Sequence, residues 1–210
     1  MAQKTVSQVY EEALGDGGFL QSNVLQKLLR FSSSGVDWKT LVQNALQASA
    51  DVLEADISGI YRYNFYRFGE VKIKTLLSYS RLEDPSPLKS SKEPAQDASV
   101  ANEVILQFQR NNPVYGPVKN LRSEDLKKLL SSLGYKSILY VPIWSNDRLW
   151  GSICFHDTSI ERIWTGRDVD FLQSVARIIG QNVTLDQLKE EVKRKDKVLN
   201  MAMEKSLDGT

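Results

Sequence analysis

Few side chains in this sequence could carry covalent or redox chemistry. The chain has one cysteine, Cys154, and one histidine, His156, in the segment LWGSICFHD. A single cysteine cannot form an intramolecular disulfide or run a two-cysteine redox cycle, and a single histidine excludes a metal site with several histidine ligands. Cys154 could sense oxidation through its thiolate, and His156 could be an axial haem ligand. The more ordinary roles are a buried inert thiol and a hydrogen-bonded strand residue.

The acidic residues nearby do not complete an enzyme site. Asp157 and Glu161 lie close in sequence, but no nucleophile, metal ligand set or third catalytic member accompanies them. We therefore expect no catalytic activity from this chain and no bound metal, and the identity of any cofactor is unknown. Arg162 and Trp164 follow in the same loop, where a stacked pair would hold the loop in place.

Strand alternation predicts that the polar and aromatic candidates share one sheet face. The segments KSILYVPIW and LWGSICFHD form a predicted hairpin. One face is purely apolar and should lie under helices: Leu139, Val141, Ile143, Ile153 and Phe155. The other face carries Ile138 and the candidate ligand-binding residues: Tyr140, Trp144, Trp150, Ser152, Cys154 and His156. Aromatic walls with a few polar groups are typical of a small-molecule pocket, although core packing is the alternative.

Two further regions bear on this pocket. Tyr115 lies in the proline-bounded segment NNPVYGPVKN and is a candidate lid contact. In the first predicted strand, either Tyr61 and Tyr63 or Arg62 and Asn64 could face the ligand, and both assignments stay open.

The composition is that of a folded protein with no obvious polyanionic partner. The chain has 210 residues, of which 41% are apolar, and a net charge of +1. It is too apolar and too weakly charged for a disordered chain, and the neutral balance argues against nucleic acid or a membrane surface as partner. No apolar run reaches the ~20 residues of a membrane span, and the start lacks a signal peptide. We expect a cytoplasmic protein.

The predicted elements alternate in blocks, which favours an α+β fold. Gly15, Gly17 and Gly18 separate a leader from a helix with Leu20, Val24, Leu28 and Phe31 on one face, and Asp37 caps a second helix. A hairpin turning at Gly69, a loop over 81–99, a helix over about 98–110 and a short helix capped by Ser123 follow. The second hairpin comes next, and then a helix from about Asp168 to Met203.

This last helix is too long to lie wholly on its own domain. It would measure about 54 Å, against a radius of gyration of roughly 17 Å for a domain of this size. A first apolar stripe should pack on the sheet: Leu172, Ala176, Ile179 and Val183. A second stripe has coiled-coil-like spacing and predicts a parallel homodimer: Leu185, Leu188, Val192, Leu199 and Ala202. The alternative is a solvated tail that frays after Leu188.

Several motifs in the second half resemble a GAF domain. They are the Ser-x-Leu-x-Val-Pro-Ile strand from Ser137, Trp150-Gly151 opening the next strand, Arg162-x-Trp164, and Asp168 before a helix with Leu172 and Ala176. The resemblance covers about residues 20–185. It implies a PAS-related central antiparallel sheet of five or six strands, with helices on one face, a covered pocket on the other, and a sensory or regulatory role.

The positions at which the sequence departs from the family pattern narrow the range of possible ligands. Asn146 is followed by Asp147 rather than lysine, which argues against cyclic nucleotides, and Cys154 lies in a strand rather than a lid helix, which argues against a covalent bilin. We predict a flexible leader at 1–18, a sensor domain at 19–185 and a signalling helix at 186–210 that leads to a dimeric output domain. MEKSLDGT resembles the linker before HD-GYP phosphohydrolase domains, but a histidine kinase or diguanylate cyclase could equally follow. A ligand-free dimerisation module is the alternative function.

Overall fold

The computed structural model describes residues 6–67, 71–82 and 98–207 of the chain. The helices are α1 (Val6–Ser33), α2 (Trp38–Leu53), α3 (Ala98–Gln109), α4 (Glu124–Ser132) and α5 (Gly166–Leu207). The strands are β1 (Ile57–Phe65), β2 (Val71–Ser80), β3 (Val114–Pro117), β4 (Ser137–Ser145) and β5 (Arg148–Asp157). The predicted turn at Gly69 and most of the predicted loop over 81–99 lie outside the described residues.

The predicted capping residues start two of the helices. Asp37 accepts hydrogen bonds from the backbone N–H groups of Lys39 and Thr40 at 3.0 and 3.2 Å. Ser123 accepts one from the N–H of Leu126 at 3.1 Å. Such caps satisfy N–H groups that have no partner inside the helix and stabilise it by about 1 kcal/mol each. Both predicted helix starts are confirmed.

The strands form one antiparallel sheet in the order β2-β1-β5-β4-β3. Both predicted hairpins are present, as β1 with β2 and β4 with β5. The proline-bounded segment that contains Tyr115 forms the short edge strand β3, which pairs with the first half of β4. Pro117 ends this strand at the sheet edge, where proline is tolerated. The α+β class and the five-stranded antiparallel sheet are confirmed.

The sheet separates two hydrophobic cores. On one face, α1, α2 and α5 pack over the apolar alternate residues, including Leu139, Val141 and Phe155. On the other, side chains from α3 and α4, such as Phe108 and Leu130, pack with Ile138 and Tyr140. The predicted division of β4 and most of β5 between the two faces is therefore confirmed. We call these the helix face and the ligand face.

The predicted break after the leader is wrong. Helix α1 runs without interruption from Val6 through all three glycines. Glycine costs roughly 1 kcal/mol in a helix interior, but tertiary packing routinely outweighs such a preference. Gly18 is buried, and one turn later the Gln21 amide donates a 3.0 Å hydrogen bond to Asp168 in α5.

Helix α5 changes surroundings along its length. Leu172, Ala176, Ile179 and Val183 are buried on the helix face, as predicted. Gly180 lies so close to β4 that an added Cβ would be 2.0 Å from the backbone oxygen of Trp144. Beyond it the second stripe is half exposed: Leu185, Leu188, Val192 and Leu199. Exposed ion pairs flank this stripe, Glu190 with Lys193 and Glu191 with Lys195, each at 2.8 Å.

Across the described residues, no helix is both long enough and apolar enough to span a bilayer.

Candidate functional site

The histidine anchors a buried polar cluster on the ligand face. Its Nε2 lies 2.7 Å from the Tyr140 hydroxyl oxygen, and its ring stacks on Tyr135 with centroids 4.1 Å apart. Antiparallel pairing places Ile138 opposite His156 and Tyr140 opposite Cys154, so these side chains share the face. Only 1% of His156 and 7% of Tyr140 are exposed. Because Nε2 and one ring face are occupied, the geometry favours the hydrogen-bonded strand residue over a haem ligand.

A second row of hydrogen-bonded side chains lies beside the histidine cluster. The hydroxyl groups of Tyr63 and Ser152 hydrogen-bond at 2.7 Å, and the Ser152 oxygen lies 3.3 Å from Sγ of Cys154. Tyr61 and Tyr63 both pack in the ligand-face core, which settles the assignment left open by the sequence. Arg62 and Asn64 therefore belong to the helix face.

Burial keeps the titratable groups of this cluster neutral. It raises the pKa of the Cys154 thiol to about 12, so the reactive thiolate is scarce at neutral pH. It raises the pKa of Tyr135 to about 12 and those of Tyr63 and Tyr140 as well. Burial also lowers the pKa of His156 to about 3, although hydrogen bonding with the Ile57 backbone raises it by a smaller amount. The cluster can therefore recognise a ligand through hydrogen bonds rather than charge.

Stability should fall on acidification because of His156. The unfolded chain binds the imidazole proton with a pKa near 6.5, whereas the folded chain holds it near 3. The free energy of unfolding should therefore decrease as the pH falls from about 6.5 towards 3, with a loss of about 2 kcal/mol between pH 7 and 5. Urea denaturation at both pH values should show this loss in the wild type and little of it in His156→Gln. An equal loss in the variant would contradict the assignment.

Five of the predicted ligand residues share the ligand face as expected. Tyr140, Trp144 and Cys154 pack in its core, and the hydrogen bonds above place Ser152 and His156 there. Trp144 is only partly buried, but its indole Nε1 is buried and has no hydrogen-bond partner within the described part of the chain. An unpaired buried N–H is costly, so this donor is available to a ligand acceptor.

The predicted face of Trp150 is wrong. Ile143 pairs with Gly151 while Trp144 pairs with Leu149, which leaves Trp150 as the extra residue of a β-bulge. The bulge turns the Trp150 ring to the helix face, where it meets Trp38 edge-on at 5.9 Å.

Tyr115 does not lie over the ligand face, where the predicted lid contact would require it. Tyr115 lies opposite Leu139 in the β3–β4 pair, so its side chain emerges on the helix face and not over the ligand face. It is 46% exposed. Tyr135, which stacks on His156, was missed because it lies in the loop between α4 and β4, where no periodicity indicates a side-chain direction.

The loop after β5 is fixed by a buried ion pair. The Arg162 guanidinium donates to both carboxylate oxygens of Asp157, at 2.8 and 3.2 Å, and lies 4.7 Å from the centre of the Trp164 ring. The predicted Arg–Trp stack is confirmed. Within the described residues, no group of histidine, cysteine and acidic side chains could hold a metal ion.

A comparison with known protein families finds a match that covers most of the chain. The family model for the GAF domain matches residues 37–183. The methanogenesis regulatory histidine kinase FilI of Methanothrix harundinacea (strain 6Ac) is 34% identical over 148 residues, which cover 69% of this chain and 16% of the kinase. The chain therefore spans less than a fifth of the length of this curated relative.

Solved structures share the fold at low identity. The phycocyanobilin-bound GAF domain from a cyanobacterial phytochrome has a TM-score of 0.65 and 16% identity, covering 80% of this chain and 96% of that domain. The photoproduct state of GAF3 from Slr1393 of Synechocystis sp. PCC6803 has a TM-score of 0.62 and 18% identity, covering 74% and 99%. At such identities the likeness concerns the fold alone.

Proposed function

This chain belongs to the GAF domain family, and we propose on that premise that it is a sensory module without catalytic activity. It binds a small molecule on the ligand face and relays its presence through α5 to a dimeric output domain. The 34% identical relative is a regulatory histidine kinase, which supports the regulatory role. It also favours a histidine kinase output over the HD-GYP phosphohydrolase considered from the sequence.

The observation that carries this proposal is the buried polar cluster on the ligand face. Purely apolar side chains would pack this face at lower cost, because every buried hydroxyl and imidazole must find a partner. Here the polar groups form two hydrogen-bonded pairs, one between a tyrosine and a serine and one between a tyrosine and the histidine. Small-molecule sites combine such polar groups with apolar and aromatic walls.

Covalent attachment of a bilin does not suit this chain, although one structural neighbour is a phycocyanobilin-bound domain. Cys154, the one cysteine of the sequence, lies in β5 with 5% of its surface exposed. Its thiol contacts Ser152 inside the sheet face and its pKa is raised by burial. A ligand held by hydrogen bonds and packing suits this face better than one attached through sulfur.

A direct contact links the ligand face to α5. Trp144 faces the ligand side, while its backbone oxygen lies against Gly180 of α5. The next residue, Ser145, hydrogen-bonds the Thr184 hydroxyl at 2.8 Å. A ligand that moves the end of β4 therefore moves the point from which α5 leaves the domain. It shifts the output only through a difference in affinity for the two arrangements.

The packing of the cluster supports a second candidate, a ligand-free dimerisation module. Tyr140, Cys154 and His156 are all less than a tenth exposed, and Tyr135 covers the imidazole. A face filled by its own side chains needs no ligand for stability.

The amount of small molecule that co-purifies with the chain tests whether the ligand face binds it. Solvent extraction and mass spectrometry should find it on the wild type and at least about tenfold less on Trp144→Ala, because aromatic contacts dominate such binding. Tyr115→Ala removes an exposed aromatic from the opposite face and should retain full occupancy. Tyr140→Phe keeps the packing and should weaken binding by loss of the hydroxyl. Equal occupancy in all four proteins would contradict the assignment.

The proposed dimer should depend on the exposed stripe of α5. Leu188→Asp places a charge in the apolar seam and should convert a dimer into a monomer, measured by light scattering after size exclusion. Gln43→Asp adds the same charge on the exposed side of α2 and should leave the dimer intact. A dimer that persists in Leu188→Asp would place the interface elsewhere.

A further inference from the structure

A cavity of about 500 Å³ lies on the helix-face side of the sheet end, where β1 and β5 approach α5. It extends to the ligand-face core, because Tyr63 and Leu149 also line it. Polar side chains on its wall include Arg62, Asn64, Ser145, Arg148 and Gln187. Trp150, which the β-bulge turns to this side, supplies an apolar wall together with Phe65.

The charges around this cavity are of one sign. Arg62 and Arg148 both line it, and the described residues of its wall include no carboxylate. Across the β1–β2 pair, Arg62 lies directly opposite Lys74. Like charges at directly opposite positions repel and destabilise the fold. The described wall of the cavity supplies no negative charge that would neutralise them.

Arg62 has unused hydrogen-bonding capacity. Its guanidinium carbon lies 4.7 Å from the centre of the Trp150 ring, so the side chain is held by the indole. Its Nη1 is buried and has no hydrogen-bond partner among the described residues. Burial also lowers the pKa of Arg62, which reports lost hydration of the cation. A desolvated guanidinium with a free donor binds an oxyanion well, because its planar fork directs parallel N–H groups at two oxygens of a carboxylate or phosphate.

The amide groups complete a donor set. Asn64 lies two residues after Arg62 on β1, and Gln187 reaches the cavity from α5. The Ser145 hydroxyl donates to Oε1 of Gln187 at 3.2 Å, which leaves the amide nitrogen of Gln187 as a donor at the wall.

We propose that this cavity binds the carboxylate or phosphate group of a small organic anion, with Arg62 as the principal ligand and Arg148 as the second. The aromatic wall takes the apolar body of the molecule. Because Gln187 belongs to α5, binding here fixes the helix just after it leaves the sheet. Arg62 and Arg148 are not part of the ligand-face cluster, so the test of this anion site is independent of the proposed sensory ligand.

Titration of the ¹⁵N-labelled chain tests this site. Inorganic phosphate and benzoate are added separately at constant ionic strength, and the indole N–H signal of Trp150, assigned with Trp150→Phe, is followed by NMR. We expect a saturable shift with at least one probe. Phosphate alone would identify a phosphate group, and benzoate alone would identify a carboxylate with an apolar body. Shifts that do not saturate with either probe would overturn the proposal.

Variants separate the site from a general charge effect. Arg62→Gln should weaken binding at least about tenfold, the usual consequence of losing a charge-assisted pair, and Arg148→Gln should weaken it several-fold. Arg110→Gln removes one exposed positive charge on the segment after α3 and should bind as the wild type does. Unchanged affinity in Arg62→Gln would overturn the assignment. If circular dichroism shows that Arg62→Gln is unfolded, the exposed Arg148→Gln variant decides.

Discussion

Replacing Arg162 by methionine should lower the free energy of unfolding by about 3–5 kcal/mol. The Asp157 side chain is completely buried, and its charge is balanced by Nε of Arg162 at 2.8 Å and Nη2 at 3.2 Å. Without the guanidinium, the donors to this carboxylate that remain among the described residues are the Ser137 hydroxyl at 2.8 Å and the more distant N–H of Asp56. A buried carboxylate without a cation is among the costliest defects in a folded protein.

The same guanidinium also joins distant parts of the chain. Its Nη1 donates to the backbone oxygen of Leu53 at 2.6 Å and its Nη2 to that of Glu54 at 3.0 Å, at the end of α2. Lysine lacks the planar fork that reaches two carbonyls and a carboxylate together, so Arg162→Lys should recover little stability.

Urea denaturation with two controls measures this effect. Lys119→Met breaks the solvent-exposed pair with Glu161 and should cost less than about 1 kcal/mol. The double variant Asp157→Asn with Arg162→Met removes both charges and should be more stable than Arg162→Met alone. A loss below about 1 kcal/mol in Arg162→Met would contradict the buried ion pair.

Gly180→Ala should destabilise the protein by about 3 kcal/mol, the upper part of the range for overpacked sites. The added Cβ would lie 2.0 Å from the backbone oxygen of Trp144, far inside any contact distance. Alanine is the better helix former by roughly 1 kcal/mol, so a net loss can come only from the forced separation of α5 and β4.

Gly166→Ala is the matched control because it lies in the same helix and its added Cβ meets no atom of the described neighbouring residues within 4 Å. It should be neutral or slightly stabilising in the same urea experiment. Hydrogen exchange in Gly180→Ala should rise in β4 and in the middle of α5. A Gly180→Ala variant as stable as Gly166→Ala would remove the proposed contact between the ligand face and the signalling helix.

Periodicity predicted most of the fold because most of the sheet follows it. Alternation divided Leu139 from Tyr140 and Phe155 from Cys154 correctly, as the two cores show. It failed at Trp150, because the extra residue of the bulge shifts the alternation for the strand residues that precede Gly151. Local propensity also misplaced the start of α1, because the packing that carries the helix through its glycines comes from residues far away in sequence.

The site could be predicted only in part, for the same reason. Strand alternation predicted the candidates on β4 and β5. Tyr63 joins them because β1 lies next to β5 in the sheet, and Tyr135 joins them from a loop. The bond from Arg162 to the α2 terminus and the approach of Gly180 to Trp144 are also long-range contacts. No spacing in the sequence indicates such pairs. They depend on how complete elements pack.

Native mass spectrometry of the freshly purified chain tests the central claim most directly. A sensory ligand-binding module predicts a dimer that carries a reproducible extra component of a few hundred daltons, as expected for a pocket-sized molecule. Its mass would also identify the class of ligand. A bare dimer would contradict ligand binding and favour the dimerisation module, and a bare monomer would contradict both.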